Sequence, residues 1–220
     1  MVLLKDLIVA NRSYRRFHED VPIDMATLRE LVDLARLSAS GGNIQCLKYI
    51  LSYGPERNAA IFPHLSWAGY LPEWPGPEEG ERPAAYVIIL LDTSISKGSG
   101  CDHGIAAQSI LLGATERGFG GCMFGSIQRE GLRKALAVTE QYKIELVIAL
   151  GKPKETVILD TVKNGNIKYW RDDQDQHHVP KRSLDEIILA HRNGVGFISK
   201  CKPPYRASVA QFLASSYANG

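Results

Sequence analysis

The residues from position 12 to position 16 place three arginines and Ser13 in a run of five, close to the start of the chain. An arginine guanidinium is always charged, and its planar fork matches the oxygens of a phosphate. A second basic pair, Lys181 and Arg182, stands immediately before a predicted helix. Three or four charge-assisted hydrogen bonds of about 1.5 to 3 kcal/mol each approach the roughly 8 kcal/mol of micromolar binding. A single phosphate group is therefore a sufficient partner, and the alternative is an ordinary solvated basic face.

The charge balance of the whole chain limits this basic site to a local one. The 220 residues include 26 Lys and Arg against 24 Asp and Glu, for a net charge of +2. Binding to nucleic acid or to an acidic membrane needs many basic residues on one face. No apolar stretch approaches the length of about 20 residues that spans a bilayer, and the N-terminus does not read as a signal peptide. We therefore predict a cytoplasmic protein that binds neither nucleic acid nor membrane.

Two further segments carry groups that could contact a ligand. In "SGGNIQ" the glycines end a helix, whereas Ser40, Asn43 and Gln45 offer hydroxyl and amide groups that could read a ligand with alternating donors and acceptors. The segment "GFGGCMFGS" (118–126) contains no nucleotide-binding fingerprint, because no G-x-G-x-x-G opens a helix after a strand. We interpret it as a glycine-rich turn whose backbone comes close to a flat ligand.

Other kinds of site are not supported by residue spacing. His177 and His178 are adjacent and point in different directions on regular structure, and the other histidines are isolated, so no metal site is predicted. No G-x-S-x-G elbow is present to organise a hydrolase triad. Cys122 stands beside glycines without an assigned basic partner, and we interpret it as a small buried side chain. The four cysteines form no C-x-x-C pair, which is typical of a reducing compartment.

The predicted elements favour an α+β fold. Apolar spacing predicts a first helix ending near Asn11 and a second that Asp24 caps, with Leu28, Leu31, Val32 and Ala35 on its apolar face. Further along the chain we predict strands at 48–54, 84–92 and 142–151, a helix enclosed by protein on all sides at 102–117, and short helices at 129–137 and 181–191. This order is not a regular βαβ alternation.

The ordered set of "NRSYRRF", "SASGGNIQ", "DHGIAAQSILLGATERGFGGCMFGSI", "ELVIALGKP" and "KRSLDEII" resembles the FMN-dependent nitroreductase family over about residues 5 to 190. The resemblance implies an α+β fold with a central mixed or antiparallel sheet flanked by helices. It also implies an interlocked homodimer, with one FMN in each of two interfacial sites.

The resemblance also assigns site residues. Arg12, with Lys181 and Arg182, would neutralise the FMN phosphate and Ser13 would hydrogen-bond to it, although Asn11 stands where the family has a basic residue. Arg15 would face the ribityl chain and the pyrimidine edge of the flavin. The turn residues Ser40, Asn43 and Gln45 would reach the flavin of the partner subunit, and Met123, Phe124, Gly125 and Ser126 would lie along the ring and its N5 edge.

The implied activity is an NAD(P)H-dependent oxidoreductase that passes electrons through flavin N5 to a nitroaromatic, quinone or similar small acceptor, in a ping-pong cycle. No catalytic side chain is implied. The long loop between residues 62 and 83 carries Trp67, Tyr70 and Trp74, which we predict to cover the site as a substrate lid. One alternative is a specialised relative for reductive dehalogenation or flavin fragmentation. The other is a non-catalytic anion-binding module.

The predicted domain organisation is simple. Residues 1–191 are expected to form one FMN-binding domain, and residues 192–220, which have no clear periodicity, are expected to form a C-terminal tail.

Overall fold

The computed structural model describes residues 3 to 189. The chain divides into two compact units, the first ending at Thr156 and the second beginning at Val157. The expected boundary at residue 191 and the tail at 192–220 lie outside the described residues, so this domain organisation remains a prediction.

The described residues contain six α-helices and eight strands. The helices are α1 (Leu4–Ala10), α2 (Met25–Leu37), α3 (Pro55–Ile61), α4 (Asp102–Glu116), α5 (Arg129–Leu136) and α6 (Leu184–Ile187). The strands are β1 (Phe17–His18), β2 (Leu47–Ser52), β3 (Ala85–Asp92), β4 (Gly120–Phe124), β5 (Tyr142–Pro153), β6 (Val157–Thr161), β7 (Trp170–Arg171) and β8 (His177–Lys181). Short 3-10 turns cover Gly41–Asn43 and Phe62–His64. Helices and sheets together confirm the predicted α+β class.

The first unit is built on a five-stranded antiparallel sheet. Strand β3 lies between β2 and β5, and the other edge of β5 pairs with both β4 and β1. All eight residues of β3 are buried, as its continuous apolar run predicts for a strand covered on both faces. Val87 and Ile89 belong to an apolar cluster that includes residues of α2 and α4, whereas Ile88 and Leu90 belong to one with residues of α3 and α5.

Helix α2 confirms its predicted boundaries. The Asp24 side chain accepts a hydrogen bond of 2.8 Å from the backbone N–H of Thr27 and so caps the helix. Its predicted apolar face reaches the core through Leu28, Leu31 and Ala35. Gly113 of α4 lies against this helix so closely that an added Cβ would be 2.2 Å from Leu34 Cδ1. The small residue therefore sets the approach of the two helices.

In the single chain, helix α4 is not enclosed on all sides. The prediction that protein surrounds this helix is therefore wrong for one copy of the chain. Gly104, Ile105 and Gln108 are exposed, although the opposite side of the helix is buried. A circumference of small and apolar residues indicates that a helix is covered, but it does not say by which chain.

The glycine-rich segment predicted as a turn is instead strand β4, and that prediction is also wrong. Only Gly118, with φ of 74°, forms a turn, and Gly120–Phe124 then pairs antiparallel with β5. A Cβ on Gly121 would lie 2.4 Å from the carbonyl oxygen of Ala149, and one on Gly120 would lie 2.5 Å from the Tyr14 ring. The glycines serve close packing within the sheet rather than chain reversal.

The second unit contains a three-stranded sheet that the sequence did not predict. Strand β8 pairs parallel with β6 and antiparallel with β7. The strands are two to five residues long, and β7 and β8 show no apolar alternation, so apolar periodicity did not reveal this sheet. The predicted helix at 181–191 is reduced to α6, and its last two residues lie outside the described part.

Candidate functional site

The arginine segment lies beside strand β4. Ser13 forms a parallel bridge with Gly121, and the backbone N–H of Tyr14 donates to the Gly121 carbonyl at 3.0 Å. The side chains of Ser13 and Arg15 lie near the Cys122 thiol and act to lower its pKa, against the larger opposite effect of burial. Residues separated by more than a hundred positions in sequence, and predicted to share one site, are therefore adjacent.

The three arginines of this segment have different roles. Arg16 donates to both carboxylate oxygens of Glu81, at 2.6 and 2.8 Å, and Lys154 lies 3.0 Å from the same carboxylate. The hydrogen bond from Arg16 lowers the pKa of Glu81 to about 2. Arg16 is thus engaged in an ion pair within the first unit.

Arg12 and Arg15 are only partly buried. Arg12 donates through Nη2 to the Ile8 carbonyl at 2.6 Å, at the C-terminal end of α1, and its buried Nε has no hydrogen-bond partner within residues 3–189. Arg15 donates through Nη1 to the Ser13 carbonyl at 3.3 Å. The Arg12 Nε atom is a desolvated donor of the kind that an anion can satisfy.

Glu155 fixes the backbone of the segment, and sequence reasoning missed it. Its Oε1 atom accepts from the backbone N–H groups of both Arg15 and Arg16, the latter at 3.3 Å. Nothing in the local pattern around Glu155 predicts this contact, because its partners lie about 140 residues away. Glu81 and Lys154 were missed for the same reason.

The end of β4 presents the predicted ring-contacting residues. Met123 is 37% exposed and points away from the buried Phe124, as alternation along a strand requires. Gly125 and Ser126 are exposed. A Cβ on Gly125 would meet nothing within 4 Å, so open space adjoins the backbone at this point.

The predicted lid begins directly beside this strand end. The backbone N–H of Ser66 donates to the Ser126 carbonyl at 3.1 Å, and Leu65 forms a bridge with Ile127. The Trp67 ring lies edge-on to Phe124 with centroids 4.6 Å apart, and the Trp74 ring lies 6.3 Å from that of Trp67.

The aromatic residues of the loop therefore differ in how firmly they are held. Trp67 packs between Phe124 and Gly76, where an added Cβ would lie 2.8 Å from the indole ring. Tyr70 is 42% exposed. Trp67 anchors the loop to the apolar core, whereas Tyr70 faces outward.

The turn at 40–45 is held at the first residue of α4. The Ser40 hydroxyl donates to Asp102 at 2.7 Å, and Asp102 also accepts from the Gly41 N–H at 2.9 Å. Asn43 and Gln45 are exposed, and Gln45 Nε2 donates to the Asn43 side-chain oxygen at 3.1 Å. Asp102 was predicted only as the start of a helix.

Lys181 and Arg182 lie in the second unit, at the end of β8 and just after it, and both are exposed. Arg182 forms an ion pair with Glu186 one turn along α6. Their predicted contact with a phosphate remains a prediction.

The other candidate groups show no catalytic arrangement. Burial raises the pKa of the Cys122 thiol, against a smaller lowering effect of Arg15. The thiol is thus held neutral, as a small buried side chain. Across residues 3–189, no group of three or more His, Cys, Asp or Glu side chains could hold a metal ion, and no helix could span a membrane.

Comparison with known proteins agrees with this geometry. Residues 82–152 match the sequence profile of the Nitroreductase family, a segment that runs from the end of the long loop through β5. The chain is 21% identical over 177 residues to "Putative NAD(P)H nitroreductase YodC" of Bacillus subtilis strain 168, covering 67% of this chain and 88% of that protein.

Solved structures show the same fold at low sequence identity. An FMN-dependent nitroreductase of Clostridium difficile R20291 superposes with a TM-score of 0.59 and 20% identity, over 86% of this chain and 98% of the other. A "putative nitroreductase in complex with FMN" from Exiguobacterium sibiricum 255-15 gives a TM-score of 0.59 and 15% identity, over 70% and 90% of the two chains. The resemblance to the nitroreductase family is thus confirmed, and this chain has the nitroreductase fold.

Proposed function

We propose that the protein is an FMN-dependent oxidoreductase that uses NAD(P)H to reduce a nitroaromatic, a quinone or a similar small acceptor. The observation that carries this proposal is the bridge between Ser13 and Gly121, which sets the arginine segment against the strand that leads to Met123 and Ser126. Basic groups for a phosphate and an open strand end for a flat ring therefore adjoin each other in the first unit.

The residues present fit an FMN. Arg12 offers a buried Nε donor that no acceptor within residues 3–189 satisfies, and Ser13 is an exposed hydroxyl beside it. Open space borders the backbone at Gly125, where a flat ring could approach. When bound, the flavin would accept a hydride at N5 from the nicotinamide and pass electrons to the acceptor in a ping-pong cycle.

The side chains would bind, orient and tune this cofactor. Arg12 would hold the phosphate with Ser13, while the Arg15 guanidinium would stabilise the negative charge that a reduced flavin carries near its pyrimidine edge. Glu155 would keep Arg15 in place, since it accepts from the backbone N–H groups of Arg15 and Arg16.

A homodimer is part of the proposal. Ser40 is fixed at the first residue of α4, whereas Gly121, which pairs with Ser13, lies against Leu111 of the same helix. Nine residues of helix separate the two positions, or about 13 Å along the axis. One side chain cannot bridge this distance, so the turn would act on another part of the flavin or on the flavin of a second copy. The exposed face of α4 at Ile105 offers a second copy an apolar surface.

The experiment compares FMN with riboflavin, which lacks the phosphate. The purified wild-type protein should be yellow, bind FMN more tightly than riboflavin, and oxidise NAD(P)H in the presence of a nitroaromatic. Arg12→Ala should raise the dissociation constant for FMN by about 10- to 100-fold, because one or two charge-assisted hydrogen bonds are lost. The dissociation constant for riboflavin should stay unchanged.

The matched control is Arg29→Ala, which removes an arginine from the exposed surface of α2. It should bind both flavins as the wild type does. A wild-type protein that remains colourless after incubation with excess FMN would contradict the proposed function. Equal losses of FMN and riboflavin in Arg12→Ala would contradict the phosphate-binding role of this arginine.

A further inference from the structure

The turn at 40–45 has a backbone shape that needs external support. Gly42, Asn43 and Gln45 all adopt positive φ angles, of 55°, 56° and 54°. Glycine adopts this region freely, but a residue with a Cβ atom rarely does. Asn43 and Gln45 are also exposed, so burial of their own side chains does not hold them in place.

Asp102 supplies this support through both of its carboxylate oxygens. Oδ2 accepts from the Ser40 hydroxyl at 2.7 Å, and Oδ1 accepts from the Gly41 backbone N–H at 2.9 Å. The Ser40 oxygen in turn accepts from the backbone N–H of Gln45 at 2.9 Å. A chain of three hydrogen bonds therefore links the buried carboxylate to both ends of the turn.

The chemistry of the group suits this task. A carboxylate accepts hydrogen bonds at both oxygens, and the donors here are a hydroxyl and a backbone amide. The Gly41 N–H and then the Ser40 hydroxyl hold the pKa of Asp102 below its usual range, so the group stays charged. Asp102 is only 9% exposed, and it is the first residue of α4, so its position is set by a packed helix.

Ser40 is consequently a connecting group in this arrangement. Its proton is donated to Asp102 and its oxygen receives the Gln45 N–H. The side chains of Asn43 and Gln45 are the polar ones that project outward from the turn, beside the exposed Ile44. Asp102 reaches them only through Ser40 and Gly41.

We propose that Asp102 is a positioning residue that holds the Ser40–Gln45 turn in the shape in which Asn43 and Gln45 contact the flavin ring. This inference rests on the proposed function. In this inference, Asp102 determines the shape of the turn that contacts the ring, although its own carboxylate touches no ligand.

The test measures the dissociation constants of FMN and riboflavin for the full-length Asp102→Ala variant. Since the turn would contact the ring and not the phosphate, both constants should rise by the same factor, about tenfold, because flavin binding must then offset the loss of a charge-assisted contact between Asp102 and the turn. The visible absorption band of the bound flavin should shift as well, because the surroundings of the ring change. Asp102→Asn retains one acceptor and should restore part of the affinity.

The matched control is Asp92→Ala in the same unit. Asp92 is also buried, and its carboxylate accepts from the backbone N–H and hydroxyl of Ser94 and from Gln141. This control should lose stability to a similar extent and keep the wild-type affinity for both flavins. It thus separates a general loss of packing from a specific loss of the turn.

The outcomes are distinct. If wild type binds flavin, and Asp102→Ala binds both FMN and riboflavin as tightly as wild type does, the positioning role is overturned while the proposed function stands. A variant that loses FMN affinity alone also overturns it, since the effect would then act on the phosphate. A wild-type protein that binds neither flavin overturns the proposed function and this inference together.

Discussion

The two units of the chain are stabilised by different kinds of contact. The first unit buries apolar side chains on both faces of its sheet, in one cluster with residues of α2 and α4 and another with residues of α3 and α5. In the described part of the second unit, residues 157–189, only His177 is buried. Its neighbour His178 lies between two carboxylates, with Asp160 at 2.8 Å and Asp172 at 3.1 Å from its ring nitrogens.

This difference determines whether the contacts of each unit depend on pH. A neutral imidazole donates from only one nitrogen, so two carboxylate partners require the charged imidazolium. The hydrogen bonds that the imidazole donates to Asp172 and then to Asp160 raise the pKa of His178, and the Trp170 ring stacks on it at 4.2 Å. Apolar burial, in contrast, has no protonation step. The apolar core of the first unit should therefore respond to changes in side-chain volume, and the His178 contacts of the second unit to a rise in pH.

The largest expected effect is a cavity in the first unit. Leu31→Ala removes a fully buried side chain of α2 and should lower the free energy of unfolding by about 2 to 5 kcal/mol. The loss of stability should be the same at pH 6 and pH 8, because neither leucine nor alanine has a titratable side chain. Urea denaturation of the full chain measures it.

Leu37→Ala is the matched control on the same helix. Leu37 is 66% exposed, so its truncation should change the free energy of unfolding by no more than about 0.5 kcal/mol. Equal losses for the two leucines would contradict the description of α2 as a helix that buries one face.

A smaller effect is expected from the charged contact within the first unit. Arg16 lowers the pKa of Glu81 to about 2, so the pair stabilises the fold above the ordinary glutamate pKa and loses this effect as pH falls toward 2. Glu81→Gln should cost about 1.5 to 3 kcal/mol at pH 7.

The difference between wild type and Glu81→Gln should therefore shrink as the solution is acidified. Unfolding measured at pH 7, 4 and 3 follows this trend, and Glu79→Gln, an exposed neighbour, is the control. A difference that stays constant down to pH 3 would show that Glu81 acts by packing rather than by charge.

The smallest effect, and a local one, is expected in the second unit. The pKa of His178 is raised, so its contacts with Asp160 and Asp172 are complete below about pH 6.5 and are lost as pH rises through the higher pKa of the folded state. NMR titration of the imidazole signals should show a midpoint above the ordinary histidine value. Asp172→Asn should lower that midpoint.

His178→Gln identifies the signals that belong to this ring. The unfolding midpoint of the first unit should be unaffected by the same rise in pH. A His178 midpoint at or below the value of a free histidine would contradict the double-carboxylate geometry and, with it, the contrast between the units.

Predictions based on local patterns agreed well with the structure. Helices α1 and α2 and strands β2, β3 and β5 follow from apolar periodicity and from the Asp24 cap, which act over a few neighbouring residues. The prediction of a turn at the glycine-rich segment was wrong because Gly120 and Gly121 leave room for Tyr14 and Ala149, which lie far away in sequence. The strands of the second unit were not predicted because they are short and because β7 and β8 carry no periodic apolar signal.

The sequence by itself determined the α+β elements and the presence of a compact basic cluster, since these depend on residue type and on short-range spacing. Only the tertiary structure decided which polar groups are held by partners within the fold. Arg16 is taken up by Glu81, Arg15 is held by Glu155 and Ser40 is held by Asp102, across separations of 65, 140 and 62 residues. Hydrogen bonds between distant residues form only when packing brings their partners together, and no local pattern encodes that choice.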